Sequence, residues 1–152
     1  MPKELITILI ALSPLAELRG AIPVAMGIFH FSWFKAFVLS FLGNILFIIP
    51  FLWFLEKFSN FLMAKSQFWR KLFNWIFERT RVKIEAKYKR YSHWALVIFV
   101  AIPLPMTGAW TGCIAAYLLG VNKKEAFLLI SLGVFIAGCL VTILTLLGKQ
   151  LI

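Results

Sequence analysis

Ser13-Pro14-Leu15-Ala16-Glu17-Leu18-Arg19-Gly20-Ala21-Ile22-Pro23 interrupts an apolar run at its centre, and the interruption decides the fold. Leu5 to Leu12 precede it and Val24 to Phe31 follow. Proline lacks a backbone donor and disfavours helix in the residue before it, so Pro14, Gly20 and Pro23 predict a real break. A second stretch is broken the same way. Trp94 to Ile102 gives way to Pro103-Leu104-Pro105-Met106-Thr107-Gly108, followed by Ala109 to Gly120. Each arm holds about 8 to 13 residues, roughly 12 to 20 Å of helix, enough to reach the middle of a bilayer but not its far side.

Two further stretches are long enough to cross. Trp33 to Leu55 carries one charge, Lys35, near its end, and Ala126 to Gly148 carries none. Both read as spanning helices, with Gly43 and Gly133 as close-packing points. The 152 residues are 62% hydrophobic and 14% charged, far from a soluble domain of about 45–50% apolar and 25% charged residues. The net charge of +10 does not predict a nucleic-acid binder, because the basic residues are gathered in one block. Residues 57–90 hold ten basic and two acidic side chains, which predicts a cytoplasmic linker in a multi-pass protein of the cytoplasmic (inner) membrane.

A broken stretch can be a kinked span or a re-entrant hairpin. If the basic block is inside, a re-entrant second stretch keeps Lys123 and Lys124 inside as well, which favours the hairpin. Shifting the chain by 90 residues brings Ala36-Phe37 onto Ala126-Phe127, Leu39 onto Leu129 and Leu42-Gly43 onto Leu132-Gly133. A shift of 89 brings Pro14-Leu15 onto Pro103-Leu104. The expected fold is therefore an all-α integral membrane protein of two inverted repeats, residues 1–56 and 91–152. Each is a re-entrant helical hairpin plus one transmembrane helix. Between them Phe58, Phe61, Leu62, Trp69, Leu72, Phe73 and Ile76 recur at spacings of three and four. They predict one amphipathic helix on the inner surface, its cations near anionic lipid headgroups.

Glu17 and Arg19 are the only formal charges between Leu5 and Phe34. A charge at mid-bilayer costs about 2.5 to 3.5 kcal/mol on insertion scales, so it persists where it is paired, wet or useful. A mutual ion pair would serve structure alone. A substrate site would instead join Glu17 and Arg19 to Thr107, Trp110 and Thr111 of the second tip. Helix N-termini near Leu18 and Gly108 would add amide donors and favour a phosphate or carboxylate group. Cys113 and Cys139 lie alone in apolar runs and read as packing residues. No metal site, cofactor motif, signal-peptide cleavage or enzymatic constellation is expected.

Through Ser13–Pro23 and Pro103–Gly112 the chain resembles the small multidrug export protein family, nearly end to end. The resemblance implies export of small molecules. More distantly, the paired hairpins are similar to the DedA membrane proteins, which implies opposed re-entrant hairpins and movement of polyprenyl-phosphate or other lipids. Glu17 matches that family's acidic residue in the first hairpin. The arginines it carries in the second have no counterpart, since Thr107 and Thr111 stand there. A small exporter is thus the leading expectation, with a lipid-phosphate flippase and a non-transporting scaffold as alternatives. With only two spans, a homodimer or larger assembly is expected.

Overall fold

The computed structural model describes residues 1–82, 86–104 and 107–151, with side chains left aside for 80–90. Seven helices and no strand lie among them: α1 Lys3–Leu12, α2 Glu17–Gly27, α3 Trp33–Lys65, α4 Gln67–Val82, α5 Ala86–Ala101, α6 Ala109–Leu118 and α7 Lys123–Leu151. Only α3 and α7 are long and apolar enough to cross a membrane. The short helices pack against them: α1 and α2 on α3, α5 and α6 on α7. The two sets meet through α2 on α7, α6 on α3 and α3 on α7, around a core that includes Ile22, Met26, Ile48, Val100, Ile130 and Val134.

The breaks between short helices fall where the prolines and glycines predict, with two refinements. The first turn closes within 13–16, where the Ala16 amide donates to Ser13 Oγ (3.2 Å) and the Glu17 amide to Ser13 O (3.0 Å). Gly20 and Pro23 then lie inside α2 and not at the tip. A proline in a membrane helix is tolerated when its surroundings take up the freed carbonyl. Pro105 lies outside the described residues.

The chain reverses within each broken stretch. Lys3 at the start of α1 holds its ammonium 5.9 Å from the Phe29 ring just past α2. His93, in α5, comes within 3.6 Å of Glu125, a few residues beyond α6.

Contacts in the first three helices recur in the last three under the same shifts. A Cβ on Gly43 would lie 2.8 Å from Ala11 Cβ and 2.9 Å from Ile8 O. On Gly133 it would lie 2.7 Å from Val100 Cβ and 3.0 Å from Val97 O. Ile8 and Val97, like Ala11 and Val100, are 89 apart, and the glycines are 90 apart. The ion pair Glu4–Lys35 (2.7 Å) falls on His93–Glu125 by the same arithmetic, with the acid moved to the other helix. The turns into α3 and α7 also correspond. His30 (φ 58°) and Gly120 (φ 71°) are the left-handed residues ending α2 and α6, a frequent helix stop. Two residues later Ser32 and Asn122 accept the Ala36 and Ala126 amides.

The linker differs from its expected form. α3 runs ten residues past Leu55, because nothing between Leu55 and Lys65 breaks a helix. At about 1.5 Å per residue it is roughly 50 Å long, well beyond a 30 Å hydrocarbon layer. Ser66, in extended backbone (φ −139°, ψ 134°), separates it from α4. Phe58, Phe61 and Leu62 therefore end the long helix, and Trp69, Leu72, Phe73 and Ile76 belong to the next. In α4 the Trp69, Phe73 and Phe77 rings follow one another, and Phe77 meets Tyr117 of α6 edge-on at 5.7 Å.

Candidate functional site

The two broken turns touch, and each supplies what the other lacks. Broken helices leave amides bare at their starts and carbonyls bare at their ends, and inside a membrane the protein must satisfy both. The Glu17 carboxylate, only 7% exposed, accepts from the Ala109 (3.3 Å) and Trp110 (3.4 Å) amides, so it caps the first turn of α6. Arg19 turns to the other strand of the same tip. Its Nη1 donates to Leu104 O, and its Nη2 reaches Ile102 O (3.1 Å), Thr107 O (2.8 Å) and Thr107 Oγ1 (3.2 Å). In return the Trp110 indole donates to Leu12 O at the end of α1 (3.3 Å).

Glu17 and Arg19 do not pair with each other within 4 Å among the described residues, so the mutual ion pair is not formed. The seat that a helix N-terminus offers an anion is filled by the chain's own carboxylate. Gly108 makes this possible, because a Cβ there would lie 1.7 Å from Glu17 Oε2. Glu17 itself sits at φ 48°, a left-handed conformation that costs a non-glycine residue about 1–3 kcal/mol unless its surroundings hold it. The contacts of its carboxylate across the tips supply that hold.

A cleft of about 350 Å³ opens beside these contacts, bounded by Glu17, Arg19, Trp110 and Thr111, with Pro14, Gly20, Pro103 and Gly108 in its walls. Four of the five predicted substrate residues thus line one cleft. Thr107 does not; its hydroxyl lies 2.7 and 2.8 Å from Ile102 O and Leu104 O, beside the guanidinium. The Thr111 hydroxyl is turned to Gly108 O (3.1 Å). Pro23 lies away from the cleft, in a groove with α7. The Trp110 ring stacks on Phe47 (3.9 Å between centroids) and leans on Phe51 (4.6 Å), which places the tips level with the middle of α3. No group of three or more metal-ligating side chains occurs among the described residues.

Sequence reasoning missed Asn44. It is 1% exposed on α3, and with its amide nitrogen toward Ala11 O (2.8 Å) and its oxygen toward Leu18 N (3.1 Å) it bridges the broken ends of α1 and α2. The available signal was a carboxamide in the middle of an apolar span, a position that polar residues keep for a purpose. Asn44→Leu is expected to leave both backbone groups bare, lowering stability by about 1–3 kcal/mol for each unsatisfied buried group. Thermal melts in detergent measure this, and an unchanged midpoint would refute the bridge.

The described residues are all-helical, and α3 and α7 are long and apolar enough to cross a membrane, the outline of a helical membrane protein. Residues 17–140 match the family described as "putative small multi-drug export protein", and the chain belongs to it. No curated protein and no solved structure matches the chain, and the expected similarity to DedA proteins is not shown.

Proposed function

We infer that this chain is a small exporter acting as a secondary transporter, and that its substrate passes through the cleft where the two tips meet. The carrying observation is that Glu17 and Arg19, from one hairpin, are engaged by the backbone of the other around a cleft. Charges kept at such depth are characteristic of transport pathways. Family membership supports the export of small molecules.

The architecture consistent with this function is an inverted repeat, with α1–α2 and α5–α6 re-entrant from opposite faces and α3 and α7 crossing in opposite senses. The matched contacts at Gly43 and Gly133, and at Glu4–Lys35 and His93–Glu125, support it. In such folds substrate sites form near the midplane from discontinuous helices, and access alternates by rocking one half against the other. The basic linker then lies on the cytoplasmic face, with α4 against anionic headgroups. On that face Glu56 of α3 pairs with Lys123 of α7, and Ser59 bonds the Tyr117 hydroxyl.

Two measurements test this. Glu17→Gln keeps shape while removing the charge, and is expected to abolish efflux of amphipathic dyes from cells while the protein still inserts and purifies. Undiminished efflux would refute the site. Single cysteines at Asn60, Ser92 and Asn122 should react with an impermeant thiol reagent from one face and a cysteine at Ser32 from the other. Ser92 and Asn122 on opposite faces would sink the re-entrant second hairpin.

A further inference from the structure

At the end of the molecule far from α4, a groove of about 560 Å³ runs between α2 and α7. Its walls include Pro23 and Gly27 of α2 and Val141, Leu144, Gly148 and Lys149 of α7, so it lies on the seam between the two groups of three helices. Two glycines keep it clear, since a Cβ on Gly27 or on Gly148 would meet nothing within 4 Å. Thr145 turns its hydroxyl back to Val141 O (2.7 Å), which leaves Lys149 as the polar end of an otherwise apolar trough. The Lys149 ammonium donates to Met26 O in the last turn of α2, a favourable place for a cation. An ammonium has three donors, and among the described residues only this one is used. A second cation, Lys3, stands at the same end beside Phe29, two residues beyond Gly27.

We propose that this groove binds an anionic phospholipid of the surrounding bilayer, an acyl chain lying along Val141 and Leu144 and the phosphate on Lys149. The apolar trough matches a chain and the lysine at its mouth matches the charge, a pairing a zwitterionic headgroup completes less well. The site is distinct from α4, because Lys149 and Lys123 sit at opposite ends of α7, roughly 39 Å apart along the helix. A lipid there spans both groups of helices and holds them together at that end.

The test uses the full chain in nanodiscs containing phosphatidylglycerol with a photoactivatable diazirine in its acyl chain, against the same probe on phosphatidylcholine. Phosphatidylglycerol is expected to label the peptides carrying Pro23–Gly27 and Val141–Lys149 more heavily. Lys149→Met should bring that labelling down to the phosphatidylcholine level and Lys149→Arg should restore it. Gly148→Leu should remove labelling by both probes; if it fails to fold, the Met and Arg variants decide alone. Equal labelling by the two probes, unmoved by Lys149→Met, would mean annular lipid only and overturn the proposal. So would labelling confined to residues 67–82. The readout requires no transport, so it can fail while the exporter reading stands, and the reverse.

Discussion

Arg19→Ala is expected to be the most damaging single substitution in the chain, costing about 3 kcal/mol, because it removes at once several hydrogen bonds from a charged donor, each worth about 1.5–3 kcal/mol. The guanidinium reaches the carbonyls of Ile102, Leu104 and Thr107 together, whereas the Thr107 hydroxyl beside it has a single proton and can serve only one of them. Arg19→Lys should fall between wild type and alanine, since a single ammonium keeps the charge but lacks the planar fork that reaches several oxygens at once. Size-exclusion profiles after heating in detergent would order the three proteins. An alanine variant as stable as wild type would show that Arg19 is not the clasp. A stable variant without efflux would separate a transport role from a structural one.

Gly108→Ala should rank second. A methyl group there would occupy the space of the Glu17 carboxylate, 1.7 Å from Oε2 and 2.2 Å from Cδ, and the carboxylate must leave the Ala109 and Trp110 amides. The loss combines a helix cap, about 0.5–2 kcal/mol, with a buried charge left without its donors. Efflux should disappear, and stability should fall by more than the cap alone. A double-mutant cycle checks the cause: if the clash is responsible, adding Glu17→Ala to Gly108→Ala costs less than Glu17→Ala alone. Additive costs would place the effect elsewhere.

Much of this was legible because proline and glycine act locally. Pro14, Pro103 and Gly108 mark breaks that the backbone honours, and the lengths of the apolar runs separate the two long helices from the short ones. Pro23 misled because a lone proline removes one hydrogen bond without ending a helix whose other bonds survive. The stop at Ser66 was hidden because Leu62 and Trp69 on its two sides lie seven residues apart, two helical turns, so the apolar pattern stays in phase across it. The correspondence between the halves showed in sequence only where residues are identical. Glu4–Lys35 and His93–Glu125 share a position in the fold but match at neither residue, so only the contact reveals them. The candidate residues at the tips were found by charge and polarity. Their partners were not, because Glu17 and Arg19 bind backbone groups 83 to 93 residues away, and a backbone amide or carbonyl leaves no mark in a sequence.

That separation has a consequence for biogenesis. The ribosome releases Glu17 and Arg19 about ninety residues before Ala109 and Trp110. Until the second broken turn is synthesised, the first hairpin carries a carboxylate and a guanidinium with no partner at their final depth. In that interval both charges are expected to stay in contact with water or the insertion machinery. The later turn brings the backbone groups that Glu17 and Arg19 bind, so burial of the first turn is expected to be completed only once the second has been made.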